Sequence, residues 1–168
     1  MSITREMSLG KVPYEKKTLS EEDQRIALYM EYLAEQEDIG CVSEDTVRQS
    51  YVKALSALEN KKYTRWIDIV ADGEKIGFLI LSKGDSVAKG VKVHIEDVFV
   101  KHEYRRKGYA SMYLRHYMQK IDSWCYYLDI KNTYARSYFV HLFGNEGFRM
   151  VRTSHIKKPE TNFYCWMK

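Results

Sequence analysis

The stretch Val91-Lys92-Val93-His94-Ile95-Glu96-Asp97-Val98-Phe99-Val100, followed by Lys101-His102-Glu103-Tyr104-Arg105-Arg106-Lys107-Gly108-Tyr109-Ala110, decides how this chain is read. Val91, Val93 and Ile95 alternate with Lys92, His94 and Glu96, the two-residue period of a strand with one apolar and one polar face. Beyond Val100 the chain turns basic: five of the seven residues from Lys101 to Lys107 are Lys, Arg or His. Ala110, Tyr113, Leu114, Tyr117 and Ile121 then recur at helical spacing. A strand that runs into a glycine-containing loop and a helix start leaves a row of backbone N–H groups at the positive end of a helix dipole, which suits a pyrophosphate. Gly108 lets the backbone approach an anion closely, and small Ala110 keeps the first turn clear. A basic turn before a helix is as often a solvated loop, so the rest of the chain has to give this cradle its meaning.

Upstream, Thr64 to Ala71 is β-branched and aromatic, Asp72-Gly73 is a tight-turn signal, and Lys75 to Leu81 resumes as a strand, which together predict a hairpin. Two helices precede it. Thr18 or Ser20 can cap the first, whose stripe is Ile26, Tyr29, Met30 and Leu33, with Gly40 ending it. Ser43 caps the second, with Val47, Tyr51, Ala54, Leu55 and Leu58 on one face. Downstream come a strand from Tyr126 to Lys131, Asn132, a helix from about Ala135 to Phe143, and two strand-like runs, Phe148 to Thr153 and Asn162 to Met167. Helices, antiparallel strands and a closing β-α-β-α-β unit make an α+β chain without repeats or linkers.

At 168 residues and 45% hydrophobic the chain suits one domain spanning 1–168. The 30% charged content with both signs mixed argues against disorder, and the longest apolar run, Ile76 to Leu81, is far below a membrane span. Met1 to Met7 has no apolar signal region, so a cytoplasmic protein is expected. Cys41, Cys125 and Cys165 are odd in number and far apart, which argues for reduced thiols and against a disulfide frame or metal site. A net charge of +4 without a recognition motif makes nucleic acid an improbable partner.

Taken together, Ile95 to Val100 and the run Arg105, two further residues, Gly108, Tyr109, Ala110 resemble the signature of the GNAT family of N-acetyltransferases: Arg or Gln, two variable residues, Gly, one variable residue, then Gly or Ala. Asn132 with Ala135, and the run Leu142 to Phe148, resemble the start and end of that family's next motif. The resemblance implies a mixed, mostly antiparallel sheet of six to seven strands with four helices and a central V-shaped parallel splay, its first strand coming from Ser2 to Leu9. It implies acetyl-coenzyme A as co-substrate and no metal. Main-chain groups of Val98, Phe99 and Val100 would pair with the pantetheine arm as an added strand does. The amides from Arg105 through Arg106, Lys107, Gly108, Tyr109 and Ala110 to Ser111 would hold the phosphates, with the three basic side chains on the outer ones. Asn132 would contact the pantetheine or the thioester end.

The implied reaction is direct attack by a neutral amine on the acetyl thioester, which requires a base for the amine proton and an acid for the thiolate. Glu96 is the first candidate base, on the polar face one alternation from Val98. His94 shares that face and matches the base position of the histone-acetylating branch. Asp97 nominally points with Ile95 toward the core, but the bulge this family commonly carries would redirect it to a substrate amine or a partner base. Many relatives use a Tyr as the thiolate acid. Counting from Asn132 lands on Phe139 and counting back from Phe148 lands on Phe143, so the helix holds an extra turn. Tyr138 is the remaining candidate, although one residue of helix rotates it by roughly 100° from Phe139.

The function expected is acetyl transfer to a primary amine of a small molecule or peptide; a longer acyl group fits equally. The alternative is a coenzyme A-binding regulatory module that has lost its chemistry. Trp66, Tyr29 and Tyr32 stand near where relatives place the acceptor, and Glu31, Glu35, Glu37 and Asp38 either attract a cation or form a solvated face. Pairing of two copies through the C-terminal strands, common among relatives, is left open by the apolar run Phe163 to Met167.

Overall fold

Ser20 starts the first helix. Its Oγ accepts a hydrogen bond from the Asp23 N–H at 3.1 Å, and Glu21, Glu22 and Asp23 set negative charge against the positive end of the helix dipole. The helix, α1, runs Glu21–Asp38. The protein is described by a computed structural model for residues 19–38, 49, 52, 64–155 and 161–168. The expected strand at Ser2 to Leu9, the Ser43-capped helix, Thr18, Gly40 and Cys41 lie outside the described residues. After α1 come β1 (Thr64–Ala71), β2 (Glu74–Lys83), β3 (Val93–Val100), α2 (Tyr109–Met118), β4 (Ser123–Asp129), α3 (Thr133–Asn145), β5 (Arg149–His155) and β6 (Thr161–Met167).

The six strands form one sheet in the order β1-β2-β3-β4-β6-β5. Asp72 and Gly73 turn the first hairpin with φ of 52° and 77°, the pair of positive angles that a two-residue hairpin turn needs. Among the described residues the β3–β4 pair alone is parallel, and its ladder holds only Val93↔Trp124, His94↔Cys125 and Ile95↔Tyr126. Beyond those residues the two strands part, which gives the V-shaped splay in a sheet otherwise antiparallel.

One face of the sheet buries Ile69, Leu79, Leu81, Ile95, Trp124, Tyr126, Tyr164 and Trp166 against Leu114 and Met118 of α2 and Phe139, Leu142 and Phe143 of α3. Phe143 lies at its centre, its ring stacked 5.2 Å from Trp166 and edge-on to Phe148 at 5.3 Å. Truncating such a ring costs about 3–5 kcal/mol. On the other face α1 packs Leu28, Tyr29 and Leu33 over Phe78, Ile80 and Phe99. Met30, expected on that stripe, is 48% exposed. The helix is rotated so that Tyr29 and Tyr32 meet Phe78, which turns Met30 outward and Leu28 inward. His94 also differs from expectation: the face read as polar is covered, and His94 is buried.

Candidate active site

The register between β2 and β3 passes from Leu81↔Ile95 to Ile80↔Asp97, leaving Glu96 as the extra residue of a bulge. A plain strand would put Glu96 and Asp97 on opposite faces. With the bulge both side chains meet groups on the α1 face. Glu96 Oε1 accepts from Ser82 Oγ at 2.8 Å and lies 3.1 Å from His94 Nδ1, while Ser82 Oγ and His94 Nδ1 are 3.3 Å apart. Asp97 accepts from the hydroxyls of Tyr32 at 2.6 Å and Tyr29 at 3.4 Å. Burial, then the Asp97 charge, pushes the Tyr29 hydroxyl well above its ordinary pKa.

Immediately beyond the bulge a cavity of about 540 Å³ opens along Val98, Phe99 and Val100, where β3 has lost its β4 partner. Its far wall is the loop and first turn of α2: Arg105, Arg106, Gly108, Tyr109, Ala110 and Ser111. Gly108 is the N-cap of α2, at φ 80°, with no side chain capping the helix. A Cβ built there would meet no atom within 4 Å. Glycine is thus demanded by the backbone angle, and the space above it is open to an approaching anion. Arg106, also left-handed at φ 61°, helps turn successive amides to one side. This arrangement fits a polyphosphate followed by an extended amide-bearing arm.

The three basic side chains of the loop have different surroundings. Arg105 donates from Nε to the Val100 carbonyl at 2.8 Å, pairs with Glu35 of α1, and lies 5.5 Å over the Phe99 ring. Its guanidinium braces the end of β3 against α1 while the residue also lines the cavity. Lys107 does not line the cavity, and its ammonium sits 5.6 Å over the Tyr104 ring. Asn132 does line it, while its Oδ1 caps α3 by accepting from the Ala135 N–H at 3.1 Å.

Phe139 and Phe143 are both buried in the core, and Phe139 also reaches the cavity wall. Tyr138 lines the cavity too, with its hydroxyl 2.9 Å from Ser111 Oγ on α2. Burial raises the Tyr138 pKa, outweighing the hydrogen bond with Ser111 and the Arg115 charge, which act downward. It stays protonated through neutral pH. Tyr32, Glu35 and Gln36 of α1 and Tyr134 of α3 complete the wall. Spacing of three and four residues was the available sign that Tyr32, Glu35 and Gln36 share a helix face. Ser82 carried no sign, because only the β2–β3 register brings it to Glu96.

Cys125 and Cys165 are buried free thiols facing each other across β4 and β6. Burial pushes Cys125 up to about 12, so neither the cavity nor this pair offers a thiolate nucleophile. Among the described residues no cluster of three or more His, Cys, Asp or Glu is placed to hold a metal ion, and no helix is long and apolar enough to cross a membrane.

No curated protein matches the sequence significantly. Solved structures do match the fold. An acetyltransferase from Thermus thermophilus aligns with TM-score 0.61 and 16% identity, over 88% of this chain and 92% of that one. The PaiA N-acetyltransferase of Thermoplasma acidophilum, solved with coenzyme A, gives TM-score 0.60 and 17% identity, over 89% and 96%. A GNAT acetyltransferase of Streptococcus agalactiae gives 0.62 and 15%, over 87% and 89%. The model of the acetyltransferase (GNAT) family matches residues 22–144. With that match spanning the splay, the glycine-led helix start and α3, the chain belongs to the acetyltransferase (GNAT) family.

Proposed function

We propose that the protein transfers the acetyl group of acetyl-coenzyme A to a primary amine by direct attack. The observation that carries this reading is a single cavity that joins the unpaired end of β3 to the open amides at the start of α2. When bound there, acetyl-coenzyme A supplies an acyl thioester. Main-chain groups of Val98, Phe99 and Val100 take its arm as an added strand, and the amides from Gly108 to Ser111, with Arg106, take its pyrophosphate. Lys107, in the loop, would supply charge to the outer phosphate, and Asn132 would meet the arm near the thioester.

Glu96 takes a proton from the incoming ammonium to free the amine, its carboxylate oriented by the Ser82 hydroxyl and coupled to His94. His94 carries that proton onward. Tyr138, neutral and on the cavity wall, returns a proton to the departing thiolate. The competing reading is a coenzyme A-binding module without chemistry. Phe139 or Phe143, standing where the family resemblance places a Tyr acid, favours it; the Ser82–His94–Glu96 cluster and the hydroxyl of Tyr138 oppose it.

Calorimetric titration of acetyl-coenzyme A into the wild-type protein and into Gly108→Trp tests the site. Binding to the first and not the second is expected, and absence of binding to either at low salt sinks the reading. Turnover of an amine panel then tests the chemistry: Glu96→Gln is expected to lower kcat about a hundredfold or more.

A further inference from the structure

An amine of ordinary basicity arrives as an ammonium at neutral pH and becomes an amide only after losing two protons, while the thiolate takes up one. The bulge in β3 supplies two carboxylates for this, yet neither Glu96 nor Asp97 is among the residues that line the cavity. Tyr32 does line it, and its hydroxyl donates to Asp97 Oδ1 at 2.6 Å, the short contact of an O–H donor on an ionised acceptor. The phenol ring is fixed in place: it lies 5.5 Å from Tyr29, 5.7 Å from Phe78 and 5.9 Å from Phe99, edge-on to the last two. Tyr29 donates to the other oxygen of the same carboxylate. Tyr32 thus borders the cavity with its hydroxyl held on a carboxylate that does not line it.

We propose that Tyr32 is a catalytic residue of the transfer: its phenolic oxygen receives a proton from the attacking amine while its own proton passes to Asp97. The proposal rests on the amine-acetylation reading and divides the two protons between two carboxylates. Glu96, with Ser82 and His94, turns the ammonium into the amine. The amine lone pair then forms the N–C bond, the C–S bond breaks with its electron pair leaving on sulfur, and nitrogen gives its surplus proton to Tyr32 and so to Asp97. The thiolate takes a proton from Tyr138, solvent restores the Tyr138 proton, and Asp97 returns its own to solvent.

Acetyl-coenzyme A titration is run first on the wild type, and failure there removes the acetyl-transfer reading and this proposal together. Steady-state kinetics then compare wild type, Tyr32→Phe, Asp97→Asn and the double variant on spermidine, lysine and a tripeptide with a free N-terminus. Tyr32→Phe keeps the ring and is expected to bind acetyl-coenzyme A within about threefold of wild type, with kcat lowered about a hundredfold to ten-thousandfold. Asp97→Asn should fall as far and the double variant no further, the mark of residues acting as a unit. With methoxyamine, which arrives unprotonated, Glu96→Gln should regain most of its loss and Tyr32→Phe should not. A kcat of Tyr32→Phe within about threefold of wild type overturns the proposal. So does a wild type that binds acetyl-coenzyme A and acetylates none of these amines.

Discussion

Gly108 shows how a single backbone angle can carry a site. At φ 80° with empty space where a Cβ would stand, an alanine clashes with nothing and is opposed only by its own left-handed backbone, a cost of about 1–2 kcal/mol. Gly108→Ala is therefore expected to lower the unfolding free energy by about that amount. It should weaken acetyl-coenzyme A binding disproportionately, because the methyl projects into the volume the anion must enter. Chemical denaturation and calorimetry on the same variant separate the two effects; an affinity unchanged within error would place the phosphates elsewhere. The motif that contains Gly108 was legible in the sequence because its chemistry is local: a loop, a helix start, a glycine and an alanine. The carboxylates were less so. Strict alternation puts Glu96 with His94, as found, but sends Asp97 to the core with Ile95. One extra residue opposite Ile80 and Leu81 reverses that, and no residue type in β3 announces where the slip falls.

At the scale of elements, the position of α1 matters because it brings Tyr32, Glu35 and Gln36 to the cavity. Arg25 fastens it, donating to Asp68 from Nε at 3.0 Å and Nη2 at 2.8 Å, while Trp66 Nε1 donates to the same carboxylate at 2.9 Å and Lys75 stands 3.2 Å away. Burial raises the Asp68 pKa, but the hydrogen bonds from Arg25, Trp66 and Lys75 and the Arg25 charge outweigh it, so the folded value lies below 3.8. The stabilisation is thus fully present above pH 3.8 and is lost as pH falls through the depressed folded value. Asp68→Asn should cost about 1–2 kcal/mol at neutral pH, flatten the loss of stability on acidification and loosen α1 from the hairpin. Denaturation as a function of pH reads the first two and amide exchange along α1 the third. β2 presents a different constraint: a Cβ on Gly77 would lie 2.1 Å from the Phe99 carbonyl oxygen and 2.9 Å from the Val100 Cα. Gly77→Ala must push β3 away at Phe99 and Val100, residues proposed to take the coenzyme arm. Expected are a destabilisation of about 1–3 kcal/mol and a matching loss of acetyl-coenzyme A affinity. The helices and hairpin were legible because their periods and turn residues are local; the parting of β3 and β4 was legible only through the family resemblance, since pairing that stops after three residues depends on twist between distant segments.

Across the whole molecule the cavity is a gap in an otherwise continuous sheet, walled by α1 from one face and by α2 and α3 from the other. The sheet shares a large core with α2 and α3, whereas the unpaired end of β3, apart from the Val100 carbonyl that Arg105 meets, and the open end of α2 keep main-chain groups for solvent or a ligand to satisfy. A ligand that bridges them binds the folded chain and not the unfolded one, and mass action converts its affinity into stability. Acetyl-coenzyme A at a hundred times its dissociation constant should add about 2.7 kcal/mol. For a chain of this size that raises the unfolding midpoint by roughly 5–10 °C. Gly108→Trp should show no such rise. Glu96→Gln and Tyr32→Phe should keep most of it, because their side chains act on the amine and not on the coenzyme. A thermal-shift series over acetyl-coenzyme A concentration thus sorts variants into those that fail to bind and those that bind without turning over. A rise abolished equally by all three substitutions would mean that amine and coenzyme share one set of contacts, and the division of the cavity into a phosphate wall and a proton-handling wall would fall.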